Sequence, residues 1–184
     1  MDIGHRSIQI LEALLSRRQL LLQGYIDSDI QTKISRFILY LNSLDESPIT
    51  LFIDTGGGNM DLGLCICDAV KQSQAEIHGV VIGDAFSTAF RILQTCHKRL
   101  AYPNARLMFH APSINRMRCD DDNWDEYLKQ LFKLQSDQLQ FFCERSNQSI
   151  EQLKEWSKKE KRFNSQEALD AGFLDGIIEP SKNK

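Results

Sequence analysis

The sequence predicts an α/β domain with a largely parallel sheet. Apolar runs of strand character alternate with amphipathic helical stripes along its 184 residues, the pattern of helices packed on parallel strands. Glycine turns follow two of the apolar runs, at Gly56-Gly57-Gly58 and at Gly83, where a strand would hand over to a helix. No internal repeat, low-complexity tract or linker interrupts the alternation, so residues 1–184 are expected to form one domain.

The elements follow in order. Ile8, Leu11, Leu14 and Leu15 make a helical stripe, and QLLLQG reads as a short buried strand stopped by Gly24. Asp29 is placed to cap a second helix, with the stripe Ile30, Ile34, Phe37, Ile38 and Leu41, which DESP breaks. ITLFI, from Ile49 to Ile53, is a continuous apolar strand, and TGGGN turns out of it into a helix ending near Val70. IHGVVI is the next strand and runs through GDAFSTAF into another helix. KRLAY and RLMFH read as strands separated by Pro103-Asn104. A long helix is expected from about Asp120 to Arg145, with the stripe Trp124, Leu128, Leu131, Phe132, Leu139 and Phe142. The acidic run Asp120-Asp121-Asp122 suits its N-terminal dipole. Ser149 with Gln152 makes a capping box, Gly172 stops the short SQEALDAG helix, and FLDGII closes the fold as a strand. The tail, 180–184, is expected to be disordered.

Composition narrows the function. Hydrophobic residues make 42%, charged residues 26%, and the net charge is −3, which argues against binding nucleic acid through a basic surface. No apolar run reaches the roughly 20 residues of a membrane span, and MDIGHRSIQI lacks the basic-then-apolar pattern of a signal peptide. The 5 cysteines have no framework spacing, so free thiols in a reducing cytoplasm are expected. No His/Cys cluster has zinc spacing, and no metal or cofactor is expected.

In an open α/β sheet, sites form beyond the carboxyl ends of the strands. The glycine turn at Gly56-Gly57-Gly58, the segment Gly83–Ser87 and His110 at the end of RLMFH all fall there. A serine becomes nucleophilic when a base takes its proton, and imidazole does so near neutral pH. Glycine-turn amides and a helix N-terminus could then stabilise an oxyanion. Each piece alone is common: a serine after a strand is usually a helix cap, and a histidine ending a strand is usually structural. The P-loop GK[ST], the GxGxxG fingerprint and the G-x-S-x-G elbow are absent.

The order of the motifs carries more. RRQLLLQGYID, LFIDTGGGNMDLGLCICDAV, GDAFSTAF, YPNARLMFHAPS and SQEALDAGFLDGII together resemble the proteolytic subunit of the Clp protease, the ClpP family, from about Arg6 to Ile178. The resemblance implies the ClpP/crotonase-like fold of repeated β-β-α units, with a protruding handle helix at about 120–145. It implies a serine endopeptidase working inside stacked homo-oligomeric rings on peptide or unfolded-protein substrates. Ser87 matches the nucleophile and His110 the general base. The backbone N–H groups of Gly58 and Thr88 match the oxyanion donors. Ungapped alignment of QSIEQLKEWSKKEKRFNSQEA places Glu160 at the acidic third position, whereas a one-residue gap places Lys161 there.

The chain also departs from the family. Gly56 replaces a proline of the oxyanion turn. Asp84 replaces a glutamine three residues before Ser87, where a carboxylate favours imidazolium and opposes an oxyanion. Arg91 replaces an apolar residue one helical turn after Ser87, and either pairs with Asp84 or points outward. The stretch APSINRMRCDDDN lacks the glycines with which the family holds extended peptide. Only MDIGH precedes Arg6, so the family's axial loops and docking of an ATPase chaperone partner are not expected to be fully retained. Two alternatives follow: a catalytically silent ClpP-like structural subunit, or a crotonase-type acyl-thioester enzyme sharing the core fold.

Overall fold

The computed structural model describes residues 3–112 and 124–179. The element order is α1 (Ile3–Ser16), β1 (Gln19–Gln23), α2 (Ser28–Asn42), β2 (Ile49–Thr55), α3 (Met60–Lys71), β3 (Ile77–Phe86), α4 (Thr88–Thr95), β4 (Lys98–Ala101), β5 (Arg106–Phe109), α5 (Trp124–Glu144), α6 (Ile150–Lys158), β6 (Lys161–Asn164), α7 (Ser165–Asp170) and β7 (Gly176–Ile177). The 7-stranded sheet runs β1-β2-β3-β4-β7, all neighbours parallel. β3 is long enough to serve two partners. Its first half pairs β4, and its last residues, Asp84 to Phe86, pair β5 in parallel. β5 in turn pairs β6 antiparallel, from Arg106↔Asn164 to Phe109↔Lys161.

Several local expectations change. The N-cap of α2 is Asp27, whose side chain accepts from Asp29 N and Ile30 N at 3.1 and 3.0 Å; Asp29 lies inside the helix. Ser149 caps α6 through Gln152 N, but the reciprocal capping box belongs to α7, between Asn164 and Glu167. β6 lies in the charged KKEKR region and has no strand pattern in the sequence, because charge masks its single buried residue, Phe163. Ile8 is exposed although it belongs to the predicted stripe of α1. The stripe of α5 is split: Leu139 and Phe142 are buried, while Leu128 and Phe132 are 40% and 64% exposed. The expected start of that helix at Asp120 and the tail at 180–184 lie outside the described residues.

An aromatic cluster fixes the relative position of the elements that meet at the end of β3. Phe90 of α4 lies 5.1 Å from Phe142 of α5 and 5.0 Å from Phe173, centroid to centroid. Phe109, the last residue of β5, lies 4.7 Å from Phe142. Phe90, Phe109, Phe142 and Phe173 are fully buried, each removing a large apolar area from water and adding edge-to-face contacts. A buried polar network ties the far ends of the same elements. Arg99, 9% exposed, donates to both Asp175 oxygens at 3.2 and 2.5 Å, to Gln94 Oε1 at 2.8 Å and to the Gly172 carbonyl at 2.9 Å. Arg145 donates to the carbonyls of Gln94 and Cys96 at 2.8 and 3.0 Å.

The network has a pH signature. Burial pushes the Asp175 carboxyl up, but the hydrogen bonds and charge of Arg99, with Arg145 nearby, outweigh it and hold the group below its ordinary 3.8. A carboxyl depressed on folding contributes stability above its unfolded pKa and loses it as pH falls through the folded value. The fold should therefore weaken below about pH 4. Asp175→Asn should flatten part of that dependence and lower stability at neutral pH. Urea midpoints for both proteins near neutrality and in acid check this, and identical pH profiles would contradict it.

Candidate active site

Where β3 ends, the chain turns into α4 through one strained residue. Ser87 has φ 56 and ψ −119, a region that costs a non-glycine residue about 1–3 kcal/mol. Its backbone is held on both sides. The Ser87 N–H donates to the Met108 carbonyl of β5 at 3.0 Å, and its carbonyl accepts from Phe90 N and Arg91 N at 3.0 and 3.2 Å. Ser87 occupies the N-cap position of α4, yet its side chain makes no capping hydrogen bond. The hydroxyl is turned instead to His110, whose Nε2 lies 2.6 Å from Ser87 Oγ. With the imidazole proton on Nδ1, the hydroxyl donates to Nε2, the arrangement a general base needs.

His110 is the residue just after β5, and so inherits the position that the aromatic cluster sets for Phe109. Its carbonyl accepts from Gln138 Nε2 of α5 at 3.2 Å, and the next amide, Ala111 N, donates to the Ser157 carbonyl at 3.2 Å. Sequence patterns do not single out Gln138: a polar residue on a long helix reads as solvated surface.

The glycine turn lies against the serine. Gly57 has φ 97, and a Cβ there would come 2.7 Å from the Phe86 carbonyl oxygen and 3.1 Å from Ser87 Cβ. Gly58 has φ 159, and its Cβ would meet the backbone of Ile26. The turn is tied down without a proline at position 56. Gly57 N donates to Thr55 Oγ1 at 3.1 Å, and the Thr55 hydroxyl donates to the Gly24 carbonyl. Ile26 N donates to Gly57 O at 3.0 Å, Asn59 N to Ile26 O at 2.9 Å, and the Thr88 hydroxyl to Gly58 O at 3.2 Å. Among the described residues the N–H groups of Gly58 and Thr88 donate to nothing. Thr55 had a sequence signal: it is in period-two phase with the buried Ile49, Leu51 and Ile53.

Glu160 is placed differently from the serine and histidine. The β5–β6 ladder ends at Phe109↔Lys161, and His110 and Glu160 each flank that last pair. Glu160 has φ 49 and is exposed, and among the described residues no hydrogen bond or ion pair joins it to His110. Lys161 Nζ lies 3.7 Å from Glu167 Oε1 and 5.1 Å from the Phe163 ring centroid. Asp84 does not pair with Arg91. Its carboxylate accepts from Arg106 Nε and Nη2 at 2.7 and 2.8 Å, which spends part of its charge away from Ser87. Arg91 lies over the Phe141 ring, 4.6 Å from its centroid.

Other nucleophiles and spans can be placed. Burial pushes the Cys96 thiol up to about 12 and raises Cys67 as well, so neither supplies a thiolate. Among the described residues no group of three or more His, Cys, Asp or Glu could hold a metal. No described helix is long and apolar enough to cross a membrane.

Residues 2–181 match the family described as Clp protease. The chain belongs to the Clp protease family. One relative in it, the ATP-dependent Clp protease proteolytic subunit 2 of Corynebacterium glutamicum, is 31% identical over 172 residues, covering 92% of this chain and 85% of its own. A solved structure, a ClpP1 mutant from Listeria monocytogenes, superposes with a TM-score of 0.84 at 26% identity, over 94% of this chain and 97% of that one. The ClpP fold expected from the motif order is therefore present, and the chain is a protease subunit by family. Membership in the Clp protease family displaces the crotonase-type reading.

The packing of the glycine turn on Ser87 makes a test. Gly57→Ala forces a Cβ against the Phe86 carbonyl and Ser87 Cβ at a φ that alanine disfavours. It should destabilise the fold by about 1–3 kcal/mol and slow covalent labelling of Ser87 by a fluorophosphonate. Wild-type stability with wild-type labelling would show that the turn does not pack as described.

Proposed function

We propose that this chain is a serine peptidase subunit in which Ser87 is the nucleophile and His110 the general base. The observation that supports it most is the 2.6 Å approach of His110 Nε2 to a serine hydroxyl that caps nothing. His110 takes the Ser87 proton as Oγ bonds to the peptide carbonyl carbon. The N–H groups of Gly58 and Thr88 receive the resulting oxyanion. The C–N bond then breaks, and His110 returns its proton to the leaving amine. Water, deprotonated by His110, attacks the acyl ester; the carboxylate leaves and Ser87 Oγ regains a proton.

In this reading Glu160 orients His110 and stabilises its cation, on the strength of its place beside the last β5–β6 pair, which His110 also flanks. Its exposure makes it a loose partner, so Glu160→Gln should lower turnover by about 10²-fold rather than the ~10⁴ of a buried triad acid. The subunit is also proposed to work in stacked rings with an ATPase chaperone as partner. The C. glutamicum relative is named as part of an ATP-dependent protease, and Leu128 and Phe132 leave an apolar surface on α5. Light scattering should return a large multimer.

A second reading, a catalytically silent structural subunit, is favoured by one observation: no carboxylate among the described residues bonds His110. Hydrolysis of unfolded casein and short fluorogenic peptides by wild type and Ser87→Ala separates the two. Peptidase activity that disappears in a folded Ser87→Ala protein, by roughly 10⁶ in rate, supports the first. Activity unchanged by Ser87→Ala refutes it, and an assembled wild type that cuts nothing supports the second.

A further inference from the structure

Solvent reaches the nucleophile's helix along one stripe. Of the 8 residues of α4, 6 are buried. The exceptions, Arg91 and Thr95, are half-buried and follow the half-buried Ser87 at four-residue spacing, which stacks them on one face. Arg91 sits directly below the nucleophile, its N–H donating to the Ser87 carbonyl at 3.2 Å. α5 forms the neighbouring wall: Gln138 holds the His110 carbonyl at 3.2 Å, and Phe141, one turn further on, lies under the Arg91 guanidinium at 4.6 Å. Lys71 of α3 places its Nζ 5.8 Å from the same ring centroid. Ser87 and His110 thus stand at one end of this stripe, and two cations lie over the aromatic ring beside it.

Among the described residues no carboxylate lies within ion-pair distance of Arg91 or Lys71. Asp84, the acid nearest in sequence to Ser87, is held by Arg106. Asp61 and Asp68 on α3 and Asp137 on α5 make no ion pair with them.

We propose that Arg91, supported by Lys71, selects substrates with an acidic side chain on the residue whose carbonyl Ser87 attacks. The inference rests on the peptidase reading above and adds its substrate class. Four helical residues span about 6 Å along the axis, a distance that a glutamate and an arginine side chain together bridge. A carboxylate beside Arg91 gains charge-assisted hydrogen bonds from a planar donor already ordered over an aromatic face. An apolar side chain would strip water from the guanidinium and give no acceptor in return, and an amide oxygen would accept a hydrogen bond without the charge, so both are disfavoured.

The test uses the full-length protein and two peptidyl diphenyl phosphonates that differ only in carrying a glutamate or a glutamine side chain beside the phosphorus. Labelling forms the Ser87 Oγ–P bond and expels phenolate, which takes up the serine proton through His110. A small fluorophosphonate serves as a control without a side chain. The glutamate probe should label Ser87 at least about 10-fold faster than the glutamine probe, the scale of one hydrogen bond to a charged group. The ratio should fall toward one in Arg91→Met, recover in part in Arg91→Lys, and shrink in wild type as salt rises from about 0.05 to 0.5 M. The salt series carries the test if Arg91→Met fails to fold. Equal rates for the two probes alongside normal fluorophosphonate labelling would overturn the acidic preference and leave the peptidase reading standing. A glutamate preference that survives in folded Arg91→Met would overturn the role of Arg91. No labelling by any of the three reagents would overturn the peptidase reading, and the inference with it.

Discussion

The backbone of Ser87 is the constraint on which the site depends. A serine in the left-handed region costs about 1–3 kcal/mol, and it is kept there because its neighbours are fixed first. Met108 takes its N–H, Phe90 and Arg91 take its carbonyl, and Gly57 packs against the carbonyl of the preceding residue. The usual use of a serine at a helix start, capping, is forfeited. What is gained is a hydroxyl pointed away from its own helix, at the level where β5 delivers an imidazole. Gly57 and Gly58 follow from the same constraint, since side chains at either position would collide with Ser87's segment or with Ile26.

The 2.6 Å contact is set by packing remote from it. Ser87 starts α4 and His110 follows β5, so their separation is that of two elements joined by Phe90, Phe109 and Phe142. α5 adds a direct hold through Gln138 and, one turn on, stacks Phe141 on Arg91. Farther down, Arg99 and Arg145 satisfy carbonyls where α4, α5 and α7 end, which closes what would otherwise be a set of buried unpaired acceptors. The helix that carries exposed Leu128 and Phe132 in its first half thus holds the His110 carbonyl with its second.

Much of this was legible in the residues. Strand–helix alternation, the glycine turn and the ordered motifs placed Ser87 and His110, because apolar periodicity and glycine spacing are local properties. The sheet was legible except for β6, whose KRFN buries one aromatic among charges and so lacks an apolar pattern. The cap of α2 was misplaced by two residues because Asp27 and Asp29 are chemically equal candidates and only the chain's entry angle separates them. Arg91 was visible as a departure, but which partner it takes is a tertiary fact: Asp84 lies nearer in sequence, and Phe141, on a helix far along the chain, wins. Glu160, like His110, flanks the last β5–β6 pair, and its exposed side chain follows a positive φ that no sequence pattern announces.

The central claim is that His110 activates a serine held ready by its backbone. Its most direct test is the rate of fluorophosphonate adduct formation at Ser87, followed by peptide mapping, in wild type and His110→Ala. The account predicts an adduct on Ser87 in wild type whose rate of formation collapses in a folded His110→Ala protein. An adduct that forms at the same rate without His110, or that maps to another residue, would contradict it.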